Sequence, residues 1–177
     1  GAVVPDDQAD WDLIDAGSRG VRLRDGACVV DSLAAFGMIR GGHIDITILG
    51  GFEVASNGDL ANWTLGNQGM APLVGGAMDL ASSARSVWVM MTHTARDGLP
   101  RLLERCTLPL TGRNCVKRLF TDLAVIAVGA AGFVAEEIIE GVSADELRAR
   151  TGAKIVIDQR CKILRVPSEV EDLRPTM

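Results

Sequence analysis

Three short runs constrain this chain more than anything else in it: IDITIL at 44–49, SVWVMMT at 86–92 and LAVIAV at 123–128. Each is rich in apolar and β-branched residues and is shorter than an ordinary buried helix. A strand wet on one face alternates polar and apolar residues, whereas a strand covered on both faces does not. The runs therefore predict an α/β fold with a largely parallel sheet. With 177 residues in all, one domain is expected to hold them.

The segments between supply helices and turns. Asp31 or Ser32 caps a helix that runs to about Ile39 and stops at Gly41-Gly42. Asn57-Gly58-Asp59 is a turn signal inside a hairpin over 52–65. A glycine-punctuated loop over 66–76 leads to a short helix over 78–83. Ser143 and Glu146 form a capping box that opens a helix ending at Thr151-Gly152. Further strands are predicted over 21–24, 27–30 and 133–139. Residues 1–20 read as an acidic surface segment in which Asp12, Leu13 and Ile14 dock locally. The tail from Ile155 has a β-like run before Pro167 and Pro175 and is expected to fray.

Composition removes several function classes. The 18 basic and 23 acidic residues give a net charge of −5, and no Lys/Arg run supplies the basic face that nucleic acid requires. No apolar stretch approaches the roughly 18 residues of a membrane span. Residues 1–12 have neither the basic start nor the apolar core of a signal peptide, so a cytoplasmic location is expected. Cys28, Cys106, Cys115 and Cys161 are too scattered for a zinc pattern, and no metal site is expected; they read as buried or semi-buried thiols. His43 and His93 each read more readily as satisfied structural side chains than as catalysts. Glu136, Glu137 and Glu140 fit a solvated strand edge. No G-x-S-x-G elbow, dinucleotide fingerprint or P-loop occurs.

Glycine, at 20 of 177 residues, exceeds its usual share of about 7%. In parallel sheets ligands sit beyond the carboxyl ends of the strands, which draws attention to Gly50-Gly51 and Gly75-Gly76. The pair at 75–76 precedes a helix start, where backbone amides can face an anion or a developing oxyanion. Gly41-Gly42 reads as an ordinary helix stop.

Longer strings carry a family resemblance. SLAAFGMIRGGHIDITILGGFEV (32–54), GDLANW (58–63), VGGAMDL (74–80), HTARDG (93–98), CTLPLTG (106–112) and TDLAV (121–125) stand in this order. Together they closely resemble the B (beta) subunit of family I 3-oxoacid CoA-transferases, which include succinyl-CoA:3-ketoacid and 3-oxoadipate CoA-transferases. The resemblance covers roughly residues 11–152 and leaves 155–177 as a divergent tail. It implies an open α/β/α fold and a ping-pong transfer of CoA from an acyl-CoA donor to a 3-oxo acid through a glutamyl-CoA thioester. CoA is then a substrate, and no cofactor is permanently bound.

The resemblance also assigns residues. Gly75, with Gly76, supplies the backbone oxyanion donor, and Asn62, Ala77 and Met78 fall at the CoA site. Family members carry Lys directly after D-L-I-N-A-G, where it pairs with CoA phosphates. Here DLIDAG occupies 12–17 and is followed by Ser18, which leaves Arg19 as the substitute. Pro72 stiffens the loop before Gly75, where relatives carry another glycine. The nucleophilic glutamate belongs to a Glu-Asn-Gly motif that should lie just upstream of Gly1 and does not occur in these residues; neither Glu53 nor Glu104 has its context. Truncation, a separate upstream polypeptide and a non-catalytic scaffold or acyl-CoA-binding relative are all consistent with that. The family pairs an alpha half with a beta half, so the resemblance implies a separate alpha subunit and a hetero-oligomer.

Overall fold

The computed structural model describes residues 2–15, 17–66 and 74–165. It contains two compact units, one ending at Ala35 and the other beginning at Phe36. In the first, β1 (Ala2–Val3) pairs antiparallel with β2 (Val21–Arg22), and a 3-10 turn spans Asp6–Gln8. The Leu13 carbonyl accepts the Val21 N–H at 2.9 Å and Ile14 bridges Gly20, so this stretch does dock locally.

Residues 27–30 form no strand. Val29 and Val30 are exposed, and extension gains nothing where no neighbouring strand takes up the backbone polar groups. Cys28 in the same run is exposed, contrary to the expectation of a sheltered thiol.

Helix α1 covers Ser32–Arg40, and the Asp31 carboxylate accepts the Ala34 N–H at 2.7 Å, which identifies Asp31 as its cap. Its end is set by Gly42, whose φ of 73° lets the His43 N–H reach Met38 O at 3.1 Å and its own N–H reach Ile39 O at 3.0 Å. That pair of bonds is the glycine-terminated stop seen in the sequence.

The second unit continues through β3 (Ile46–Gly50), β4 (Glu53–Ala55), β5 (Leu60–Ala61), α2 (Ala77–Ser83), β6 (Ser86–Met90) and β7 (Leu102–Leu103). β8 (Val116–Phe120), β9 (Ala124–Gly129), β10 (Gly132–Ile139), α3 (Ala144–Ala149) and β11 (Ile155–Leu164) follow. Six strands make one sheet in the order β11-β10-β9-β8-β6-β3, and β5-β4-β7 make a smaller one. The pairs β3–β6, β6–β8 and β10–β11 are parallel, while β8–β9 and β9–β10 are antiparallel. The sheet is mostly parallel, in an α/β fold. Its core joins Val87, Val89, Leu119, Ile126 and Phe133 to Val54, Leu60, Leu102 and Leu147 from outside that sheet. Burying each such side chain contributes roughly 1.5–3 kcal/mol before entropy.

Three expectations change. β8 is a strand that the sequence hides, because Lys117 and Arg118 interrupt its apolar pattern; Lys117 faces solvent and Arg118 pairs with Glu136. Glu136 and Glu137 lie on β10, which has neighbours on both sides, so they do not mark a sheet edge. Residues from Ile155 do not fray: β11 runs ten residues in parallel with β10 after the crossover through α3. The capping box holds, with the Glu146 N–H on Ser143 Oγ at 3.1 Å.

His93 ties three elements together at zero exposure. Its Nε2 lies 3.0 Å from Thr151 Oγ1 and its Nδ1 3.1 Å from Thr121 Oγ1, while its backbone N–H bonds the Asp122 carboxylate at 2.7 Å. Thr151 donates its proton to Leu147 O at 2.7 Å, so Nε2 carries the imidazole hydrogen and Nδ1 accepts. Burial pushes this histidine from 6.5 down to about 4; the Asp122 charge opposes the shift and Arg150 adds to it.

A neutral buried imidazole stabilises the fold fully above the unfolded pKa and loses that advantage as pH falls through the window from 6.5 to about 4. The loss amounts to roughly 3 kcal/mol. Denaturant unfolding across that window should show the decline, and a His93→Gln variant, though less stable throughout, should lack this component. Parallel pH profiles for the two proteins would refute the assignment.

Candidate functional site

The parallel pairing of β3 with β6 puts their carboxyl ends side by side, with Gly50 opposite Met90. At Gly51, which follows β3, a Cβ would stand 2.9 Å from Val89 Cγ1 and 3.0 Å from Met91 Sδ, so the chain turns there only as glycine. At Gly50 no described atom lies within 4 Å of the Cβ position, which leaves the backbone open. α2 packs beside β3 and leads directly into β6. Its start, at Gly75-Gly76, therefore lies toward the same end of the sheet.

The two glycines there differ. Gly75 has a φ of 58°, is exposed, and has no described atom within 4 Å of its Cβ position. Gly76 has helical φ, but a Cβ would come within 2.6 Å of Phe36 Cζ. Packing against α1 thus explains Gly76, whereas backbone conformation in open space explains Gly75. Ala77 is half-buried and Met78 exposed in the first turn of α2, where Asp79 pairs with Arg40 at 2.7 Å. The preceding Pro72, with the rest of 67–73, lies outside the described residues.

Asn62, just after β5, is held on three sides. Its Nδ2 donates to Gly50 O at 2.9 Å, its Oδ1 accepts from Thr111 Oγ1 at 2.6 Å, and its backbone N–H bonds the same hydroxyl at 3.1 Å. One Nδ2 hydrogen remains for a ligand. The loop over 106–112 that carries Thr111 is clamped by Glu53. That carboxylate accepts the Thr107 N–H at 2.6 Å, the Thr107 hydroxyl at 2.7 Å and the Leu108 N–H at 3.0 Å. With its oxygens so engaged, Glu53 is built as a clamp. Trp63 Nε1 adds a bond to Leu110 O at 3.3 Å. Cys106 is no thiolate: burial pushes its thiol up to about 12, and the Glu53 and Asp59 charges add to the effect.

Arg19 belongs to the first unit. Its Nε and Nη2 bond Asp15 Oδ2 at 2.9 and 2.7 Å, and the Arg19 and Gly17 N–H groups bond Oδ1 at 3.0 and 2.8 Å. These bonds, the Arg19 backbone N–H foremost and its guanidinium next, hold the Asp15 carboxyl below its ordinary value. Ser18 supports this turn with a φ of 60°. Sequence reasoning placed Asn62 and Gly75 but missed Thr111 and the role of Glu53; the CTLPLTG string was the available signal. Among the described residues no cluster of His, Cys, Asp and Glu is arranged to hold a metal, and no helix is long and apolar enough to cross a membrane.

A family model described as coenzyme A transferase matches residues 1–150. This chain belongs to the coenzyme A transferase family. Over 149 residues it is 46% identical to the B subunit of the 3-oxoadipate CoA-transferase of Pseudomonas putida, covering 84% of this chain and 70% of that one. It is 42% identical over 157 residues to the B subunit of the succinyl-CoA:3-ketoacid coenzyme A transferase of Helicobacter pylori, covering 89% and 75%. Against the human mitochondrial succinyl-CoA:3-ketoacid coenzyme A transferase 2 the identity is 40%, and the chain spans 31% of that protein.

Solved structures show the same fold. An acyl-CoA transferase from Escherichia coli O157:H7 superposes with a TM-score of 0.69 at 19% identity, covering 86% of this chain and 33% of that one. The decarboxylase AibA/AibB superposes at 0.67 and 22%, covering 86% and 63%. At these identities the likeness concerns the fold alone, and it spans both a transferase and a decarboxylase.

The difference between the paired glycines of this transferase-family chain is measurable. Gly76→Ala should destabilise by about 1–3 kcal/mol through overpacking on Phe36, and Phe36→Leu in the same chain should recover part of the loss. Gly75→Ala should cost about 1–2 kcal/mol through backbone strain, and Phe36→Leu should not relieve it. Equal rescue of both variants in thermal unfolding would contradict the distinction.

Proposed function

We propose that this chain supplies the CoA-site portion of the beta subunit of a 3-oxoacid CoA-transferase. In this reading CoA passes from an acyl-CoA donor, such as succinyl-CoA, to a 3-oxo acid through a glutamyl-CoA thioester. The glutamate comes from sequence outside these 177 residues, since no Glu-Asn-Gly occurs among them. The observation that carries the proposal is Gly75. A left-handed glycine with open space at its Cβ position, directly before α2, is the arrangement a backbone oxyanion donor requires. The identity to beta-subunit proteins supports the substrate class.

Chemically, the glutamate carboxylate attacks the acyl thioester carbonyl, and negative charge gathers on that oxygen. An N–H fixed about 3 Å away stabilises the charge as it develops and needs no reorganisation during the step. The expelled CoA thiolate then attacks the acyl-glutamyl carbonyl, releases the donor acid and leaves the enzyme thioester. Splitting one exchange into such stages lowers each barrier. On this chain's side, Asn62 presents its free Nδ2 hydrogen to CoA beside the open Gly50 backbone. Ala77 and Met78 border the oxyanion loop. Arg19 retains Nη1 for a phosphate while Nε and Nη2 hold Asp15.

Gly75→Val tests the loop in enzyme completed with the upstream glutamate and the alpha subunit. A β-branched residue rarely adopts positive φ, so the amide is lost from position and turnover should fall on the order of a hundredfold. CoA affinity should change less. A normally folded Gly75→Val enzyme with full transfer activity would remove this loop from the reaction. A completed wild-type enzyme that binds CoA but transfers none would favour the binding-module reading.

The alpha partner is part of the same proposal. Ile46 and Ile48 are exposed on β3, which ends the sheet, and Met90 beside them is 57% exposed. Apolar surface of this kind is rarely left open on a monomer. The isolated chain should bind an apolar dye and self-associate, and addition of the alpha subunit should suppress both. A stable monomer that takes up no dye would contradict this expectation.

A further inference from the structure

Thr111 is 5% exposed, and its hydroxyl is spent entirely on one neighbour. Gly50 offers Asn62 a carbonyl, which can only accept, so the atom facing it at 2.9 Å is Nδ2 and the opposite atom is Oδ1. The Thr111 hydroxyl at 2.6 Å from Oδ1 must therefore donate its proton there, and its lone pair takes the Asn62 backbone N–H at 3.1 Å. One hydroxyl thus fixes both the backbone and the side-chain amide of Asn62.

The position of that hydroxyl is itself determined. The Thr111 N–H bonds Leu60 O at 2.7 Å, and Gly112 O accepts the Leu60 N–H at 2.9 Å, so residues 111–112 pair with β5. At Gly112 a Cβ would stand 2.9 Å from Ala81 Cβ of α2 and 2.8 Å from Cys115 Sγ. The same backbone therefore holds Asn62 on one side and touches the helix behind Gly75 on the other. Thr111 is β-branched, so its χ1 is stiff and the clamp is pre-set before any ligand arrives.

We infer that Thr111 is a positioning residue for coenzyme A binding: it locks the Asn62 amide so that its remaining N–H is aimed at the CoA moiety of the substrate. This rests on the functional reading above, in which Asn62 contacts CoA. An amide already oriented sacrifices no rotamer freedom on binding, and losing one neutral hydrogen bond changes an equilibrium by about three- to tenfold.

The test titrates coenzyme A into the completed enzyme by calorimetry and follows steady-state transfer for Thr111→Val, Thr111→Ser, Asn62→Ala and the Thr111→Val/Asn62→Ala double variant. Val keeps the shape of Thr and removes the hydroxyl; Ser keeps the hydroxyl. Thr111→Val should weaken CoA binding and raise KM for the acyl-CoA by about three- to tenfold, with kcat changed less than about twofold. Thr111→Ser should restore most of the affinity. The double variant should bind no worse than Asn62→Ala alone, because the hydroxyl acts only through that amide. Additive losses in the double variant, or a fall in kcat with KM unchanged, would overturn the inference while leaving the transferase reading intact. A wild-type enzyme with no affinity for coenzyme A would overturn both.

Discussion

Parallel pairing of β3, β6 and β8 is the constraint on which the rest of this molecule depends. Neighbouring parallel strands cannot be joined by a hairpin; the chain must travel back across the sheet before it re-enters. Between β3 and β6 that return carries the small β5-β4-β7 sheet's first hairpin and then α2. The start of α2 is thereby delivered toward the carboxyl ends of the strands, where Gly50 and Gly51 end β3. Gly75 is near the candidate site because of topology, and its left-handed backbone is what topology then permits it to use.

Close approach is the second theme. Gly51 against Val89 and Met91, Gly76 against Phe36, and Gly112 against Ala81 and Cys115 each leave no room for a Cβ. These glycines bring backbone into contact with packed side chains and set the spacing of the site. Gly75 and Gly50 are of the other kind, with nothing described near their Cβ positions. Two glycines adjacent in sequence, 75 and 76, thus serve different physical ends. Polar clamps complete the arrangement: Glu53 holds one end of the loop over 106–112, and Thr111 joins its other end to Asn62.

Much of the fold was legible because its signals are local. A β-branched run between turn residues specifies β3, β6 and β9 without reference to anything distant. Asp31, Gly42 and Ser143 act within a few residues of themselves, so the ends of α1 and the start of α3 could be read directly. β8 was not legible, because Lys117 and Arg118 enter the strand with one exposed and the other paired to Glu136 across the sheet. The run at 27–30 misled for the opposite reason: its apolar composition is local, but strand formation needs a partner. Likewise, whether the segment from Ile155 frays depends on β10, to which it pairs from more than fifteen residues away.

The amino-acid order by itself determined the α/β class, the glycine loop at 75–76 and, through ordered strings, the family. It could not separate Gly75 from Gly76, because the difference lies in where Phe36 stands. It marked Asn62 but not Thr111, which is 49 residues distant along the chain. It left Glu53 as a carboxylate without a task, where the folded chain shows three donors converging on it. Propensity and capping act over a turn or a strand, so sequence carries them. Hydrogen-bond saturation and the room left for a Cβ depend on atoms that meet only once the sheet has closed, and those the tertiary structure alone decided.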